Sequence, residues 1–171
     1  MKIMISSLIE TADNVDFIKR NNINLISIRD TTPSKTYQLL YDKIDNAGLD
    51  NLFAITFDDL VEDIEGFEER APTEQNIGDI LNWAKQKMKE NNNGFVVQCT
   101  GGVSRSSAVA ILIKYLENPE KALSVINPIY HSPNEKVLEL GQKLLNNKDL
   151  KDNAKQIMDQ YSEEFNEKIG T

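Results

Sequence analysis

Cysteine and histidine are almost absent from this chain: its 171 residues hold one Cys and one His. A lone Cys99 cannot close an internal disulfide, which fits a reducing compartment, expected to be the cytoplasm, and leaves the thiol free for chemistry. With His131 alone and no carboxylates beside it at ligand spacing, no transition-metal site is expected, and any catalysis should run without metal or cofactor. Long apolar runs are also missing. The longest, Ala108 to Ile113, is far short of the roughly 20 residues a membrane helix needs. A Lys, a short apolar stretch and the early Glu10 do not make a signal peptide. Positive charge is in deficit: the net charge is -8 and the isoelectric point about 4.7. The summed field therefore repels polyanions, and neither nucleic acid nor membrane is expected as a partner. Gly and Pro are few and scattered, so one domain over residues 1–171 is expected, with 149–171 an added helix.

What is present alternates. Lys2 to Ile5 and Ile23 to Ile28 read as strands, with a helix over Thr11 to Arg20 between them. Beyond the breaker Thr31 to Ser34, residues Tyr37, Leu40, Tyr41 and Ile44 recur at helical spacing, and Asn51 to Phe57 reads as a third strand. The segment Asp58 to Glu69 carries seven carboxylates. It reads as a solvated loop or as a lid over a site. Pro72 and Thr73 open a helix with Ile77, Leu81, Ala84 and Met88 on one face. Phe95 to Val97 is wholly apolar, as in the buried centre of a parallel sheet, and the segment after Arg105 is a helix apolar nearly all round. Further helices are expected over Pro119 to Ile126, after a capping box at Ser132 to Glu135, and through Ala154, Ile157, Met158, Tyr161 and Phe165. The fold class is α/β, a central, mostly parallel sheet between helices in three layers.

The informative segment runs from the apolar strand into the buried helix: Cys99-Thr100-Gly101-Gly102-Val103-Ser104-Arg105-Ser106. Such a loop can turn successive N–H groups inward, and the following helix N-terminus adds partial positive charge, so Thr100, Gly101, Gly102, Val103, Ser104 and Arg105 form a candidate phosphate cradle. Gly101 and Gly102 are expected to supply conformations closed to residues with a Cβ. The same donors stabilise a thiolate, making Cys99 a nucleophile. Arg105 offers a planar, bidentate grip on two phosphoryl oxygens. Ser106 can donate a hydrogen bond to the sulfur when it departs as thiolate. Without the loop, a buried Cys would read as a core filler, and Arg105 could also pair with a carboxylate of the acidic segment.

Cys-x5-Arg followed by Ser, with Gly102 three residues after the Cys, resembles the signature of the protein tyrosine phosphatase superfamily, including its dual-specificity branch. The resemblance extends over most of residues 23 to 146 and includes Ser132-Pro133-Asn134 ahead of an apolar helix, as in small bacterial phosphatase-like proteins. It implies a general acid within Phe57-Asp58-Asp59. Asp59 is the position that matches, with Asp58 and Asp63 as alternatives. Asp58 and Glu62 are expected to keep Asp59 protonated by like-charge repulsion. Gln98 departs from the family's usual His before the Cys; its amide N–H is expected to reach a backbone carbonyl.

These residues point to two-step phosphomonoester hydrolysis by a protein tyrosine or dual-specificity phosphatase through a phosphocysteine intermediate. The substrate would be a phosphorylated protein or small aryl phosphate, since the loop lacks the extra cations that polyphosphorylated lipids need. The alternative is a phosphate or phosphopeptide-binding module with weak turnover. Sulfur or arsenate chemistry at the same thiol is a third reading. His131 is expected to serve a surface or capping role, and Trp83 and the Tyr residues to pack in the core, with Tyr37 or Tyr130 flanking a pocket as the alternative.

Overall fold

The computed structural model describes residues 1–171 apart from 63, 92, 170 and 171, and excludes the side chains of 168 and 169. In chain order the elements are β1 (Ile3–Ser7), α1 (Leu8–Asp13), α2 (Val15–Arg20), β2 (Asn24–Arg29), α3 (Lys35–Asn46) and β3 (Leu52–Thr56). After a 3-10 turn at Glu68–Arg70 come α4 (Glu74–Glu90), β4 (Phe95–Cys99) and α5 (Arg105–Glu117). A 3-10 segment, Pro119–Val125, precedes α6 (Glu135–Leu144) and α7 (Leu150–Ile169).

The four strands are all parallel, in the order β1-β4-β2-β3. That order puts β4 inside the sheet, and all five of its residues are buried, as its unbroken apolar run requires. Alternation divides the strand. Val96 joins Leu8, Ala12, Ile18, Tyr41 and Ile44 on the α1 and α3 side. Phe95, Val97 and Cys99 face the side packed by α4, α5 and α6. Every residue of α5 from Arg105 to Ile113 is buried. Each fully buried Ile or Leu there contributes about 1.5–3 kcal/mol, so the helix start is held rigidly. α6 crosses α5 at Gly141, where a methyl group would run into Leu112. Leu150 and Ala154 seat α7 on the same core.

Several local expectations shift. The helix expected over Thr11 to Arg20 is two short helices meeting at Asn14, because α1 starts early on a capping box between Ser7 and Glu10. Residues 119 to 125 wind as 3-10 rather than α-helix. The cap of α6 is Asn134, whose side chain accepts from the Val137 N–H, so Ser132 and Pro133 lie outside the helix. Trp83 packs between Phe53 and Phe95, with ring centroids 5.4 and 6.1 Å away.

Candidate active site

Parallel strands in register bring their carboxyl ends together, so Ser7, Asp30, Phe57 and Cys99 gather at one edge of the sheet. From Cys99 the chain turns through five residues into α5. Three carbonyls of this loop are taken up by donors outside it. Thr100 O accepts from Leu8 N at 3.3 Å, Val103 O from Ser132 N at 3.1 Å, and Ser104 O from Asn134 N at 3.2 Å. The Ser107 hydroxyl donates to Val103 O and Ser104 O at 2.5 and 2.9 Å. Among the described residues, no acceptor takes the N–H groups of Gly101, Gly102, Val103 or Ser104. The N-cap position of α5, Ser104, makes no side-chain cap, and the first turn holds no acid. Loop and helix thus leave a set of free N–H donors, the arrangement that binds an anion.

Only one of the two glycines is required by this geometry. Gly102 has φ +70°, and a methyl there would come within 2.7 Å of Ser7 N and 2.8 Å of the Ser6 carbonyl carbon. At Gly101 a methyl would meet nothing closer than the Val103 side chain at 3.8 Å, against the expectation that both were needed.

Cys99 is 2% exposed, and its Sγ lies 3.1 Å from Ser106 Oγ. Arg105 is 3% exposed. Its Nη1 donates to Phe57 O at 2.8 Å, and its Nη2 to Asp30 Oδ1 at 2.7 Å and Thr100 Oγ1 at 3.3 Å. Its Nε is buried with no partner. The carboxylate that Arg105 meets is therefore Asp30, not one from the acidic segment. Asp30 Oδ2 accepts from Thr100 Oγ1 at 2.6 Å, and the Tyr41 hydroxyl lies 3.4 Å from the same Thr100 oxygen. Burial raises the Tyr41 hydroxyl above its ordinary range, which keeps it protonated there. Sequence reading missed Asp30 and Tyr41. The available signal was that Asp30 directly follows a strand parallel to the Cys99 strand, where side chains converge on the loop.

Asp58 and Asp59 diverge. Asp58 is 8% exposed and accepts from the Thr31 N–H and hydroxyl at 2.8 and 2.9 Å, and from Arg70. Burial alone would raise its carboxyl, but the two Thr31 bonds and the Arg70 guanidinium outweigh it and hold the group below the usual carboxylate range. Asp58 is thus an ionised anchor with its charge matched by Arg70, and not the like-charge neighbour expected to keep Asp59 protonated. Asp59 is exposed and reaches the loop: its Oδ1 accepts from Ser104 Oγ and from Asn134 Nδ2, both at 2.7 Å. Its Oδ2 has no partner among the described residues. Asp63 lies outside the described residues.

No family model matches this sequence, and no curated protein matches it. Solved structures do. The active form of Tk-PTP aligns with TM-score 0.52 at 16% identity, over 78% of this chain and 84% of that one. PTPMT1 in complex with PI(5)P aligns with TM-score 0.57 at 13% identity, over 91% and 93% of the two chains. A further PTPMT1 structure gives 0.54 at 15%, over 95% of each. The chain has a protein tyrosine phosphatase-like fold.

Within this phosphatase-like fold, Gln98 lies across the sheet from the thiol. Its Oε1 accepts from Ser27 Oγ at 2.7 Å, while its Nε2 has no partner, contrary to the expected bond to a carbonyl. His131 Nδ1 accepts from the Asn127 N–H at 2.8 Å, and burial holds the ring below its ordinary pKa. Tyr130 is 67% exposed beside the loop, whereas Tyr37 packs against the α1 and α3 cluster. The acidic segment closes on itself through Asp58 N donating to Arg70 O at 2.7 Å, and touches the loop through Asp59.

Proposed function

We propose that the chain is a cysteine-dependent phosphomonoester hydrolase of the protein tyrosine or dual-specificity type, acting in the cytoplasm without a cofactor. The observation that carries this is a single loop holding a buried thiol 3.1 Å from a hydroxyl, together with four N–H groups and a buried guanidinium Nε that have no partner among the described residues. Each of those donors suits one oxygen of a phosphoryl group, and the burial of Arg105 strengthens its share.

In the first step the Cys99 thiolate attacks phosphorus, the bond from phosphorus to the ester oxygen breaks, and Asp59 gives that oxygen a proton. The free Oδ2 of Asp59 is the oxygen suited to carry it. In the second step Asp59 takes a proton from water, the water oxygen attacks phosphorus, and the phosphorus–sulfur bond breaks. Ser106 steadies the departing thiolate. Arg105 and the loop N–H groups hold the three equatorial oxygens through both steps, and Asp30 with Phe57 O fixes the plane of the guanidinium. The loop carries no Lys and no second Arg, which favours a phosphorylated protein or small aryl phosphate over a polyphosphorylated lipid. The net charge of -8 weighs against nucleic acid or membrane as partner.

The test is para-nitrophenyl phosphate hydrolysis in EDTA between about pH 4.5 and 8, comparing wild type with Cys99→Ser and Asp59→Asn. Turnover in EDTA that disappears with Cys99→Ser is expected. Turnover surviving in Cys99→Ser would overturn the reading. No turnover, with vanadate still bound, would leave the loop as a phosphate-binding module.

A further inference from the structure

Beside the loop runs a groove that the chemistry above does not use. β1 is an edge strand, paired with β4 on one side only, and all five of its residues are partly exposed. Three cavities follow this edge. The first, about 340 Å³, adjoins Gly101 to Val103 and is walled by Ile5, Glu10 and Tyr130. The second, about 300 Å³, shares Ile5 and Glu10 with it and continues past Met4 and Phe17. The third, about 230 Å³, shares Met4 and Phe17 and ends at Lys2. Their shared walls set them side by side in a row that begins at the phosphate loop and runs along a strand of five residues, about 16 Å long.

The row has a pattern of charge. Glu10 stands next to the loop with Oε2 accepting from the Ser7 N–H and hydroxyl, both at 2.9 Å, and these bonds hold the carboxyl below its ordinary range. Among the described residues no Lys or Arg pairs with this carboxylate, whose neighbours are the Ser6 and Ser7 side chains. Beyond it Phe17 is 49% exposed, an aromatic ring left in water. An unpaired strand edge, an ionised acid without a counter-cation and an exposed ring in sequence suit an extended peptide. Backbone groups of β1 can pair with its main chain while the side chains sort by charge and polarity.

We propose that this groove binds the extended chain flanking a phosphoresidue, with Glu10 taking a Lys or Arg side chain next to the phosphate loop and Met4 and Phe17 an apolar one beyond it. The inference rests on the loop being the phosphate site, because the groove's continuity with that loop is what selects a phosphopeptide over a second copy of this acidic chain. A second copy would bring its own Glu10 and net charge of -8 to the same edge.

The experiment measures fluorescence polarisation of three labelled phosphotyrosyl peptides, flanked by Arg, by neutral residues or by Glu, on Cys99→Ser protein with and without Glu10→Gln or Phe17→Ala. Glu10→Gln keeps an acceptor for the Ser7 capping box, so α1 retains its cap. The Arg-flanked peptide is expected to bind about 5- to 10-fold tighter than the Glu-flanked one at low salt. That ratio should fall to within about 2-fold in Glu10→Gln, or in Cys99→Ser protein with Glu10 intact at about 0.5 M salt. Phe17→Ala should weaken all three peptides. Equal binding of the three, a ratio that survives Glu10→Gln, or no binding of any peptide overturns the groove. So does a concentration-dependent dimer lost in Phe17→Ala without any peptide preference. Wild-type para-nitrophenyl phosphate turnover, measured alongside, separates the two proposals. Turnover without peptide preference leaves the hydrolase standing and removes the groove. Preference without turnover removes the hydrolase and leaves the groove.

Discussion

Two Arg–Asp pairs hang on consecutive residues at the end of β2, one on Asp30 and one on Thr31, and they differ in whether a donor left over on the guanidinium can reach water. Arg70 is turned to its own segment: it bonds Asp58, its Nε also donates to Thr31 Oγ1 at 2.9 Å, its Nη2 reaches Thr32 Oγ1 at 3.3 Å, and it lies 5.1 Å from the Phe67 ring. Its side chain is 37% exposed. Arg105 is 4% exposed at the side chain, and is held by Asp30, Thr100 and Phe57 O with one donor unspent. Stability does not explain the second pair. A buried ion pair costs several kcal/mol per ion in desolvation, and a buried donor without a partner costs about 1–3 kcal/mol more. Arg70 reads as an anchor of the acidic segment, and Arg105 as a group kept poised at a cost that ligand binding would offset.

The sharpest way to break that contrast is to make the same substitution in both. Arg105→Lys keeps the charge but loses the fork, and kcat/KM on para-nitrophenyl phosphate should fall by about 10²- to 10³-fold. Arg70→Lys should stay within about 3-fold in kcat/KM and show its effect as a lowered Tm, since its pair with Asp58 contributes about 1 kcal/mol. Equal kinetic losses in the two variants would mean that Arg105 has no special role in holding phosphate.

The adjacent acids give the next contrast. Asp59→Asn should lower kcat by about 10²-fold, and more for phenyl phosphate than for para-nitrophenyl phosphate, because the poorer leaving group depends more on a proton donor. Asp58→Asn should leave that leaving-group dependence intact. If instead Asp58→Asn steepens it and Asp59→Asn does not, the general acid belongs at position 58.

How much of this was legible in the sequence follows from the range of each interaction. Cys99, Arg105 and Ser106 lie on one turn of loop and helix, so their spacing alone brought them together. The buried β4 and α5 were written as apolar runs. Asp30 was not legible, because its role depends on β2 lying next to β4, a pairing between residues about seventy positions apart. The cap at Asn134 was misplaced by two residues because Ser132-Pro133 satisfies the same local pattern. Tertiary bonds from Asn134 to Ser104 and Asp59 decided the matter. Asp58 and Asp59 are identical as letters, and only their tertiary partners distinguish them: Thr31 and Arg70 for the first, Ser104 and Asn134 for the second.

The smallest effect tests the anchor half of the contrast through pH. The folded-state pKa of Asp58 lies below its ordinary value of 3.8, so the unfolded chain takes up a proton at higher pH than the folded one does. The stabilisation from Asp58 is therefore fully present above about pH 4 and is lost as pH falls through the folded-state value. Urea unfolding should find Asp58→Asn less stable than wild type by about 1–2 kcal/mol at neutral pH, the worth of charge-assisted hydrogen bonds to Thr31 and Arg70. The gap should narrow as pH drops below about 4, because the wild-type carboxyl then loses the charge that distinguishes it from the amide. A gap of the same size at low and neutral pH would mean that shape, and not ionisation, makes Asp58 an anchor. The assignment of Arg70 as its charge partner would then fall with it.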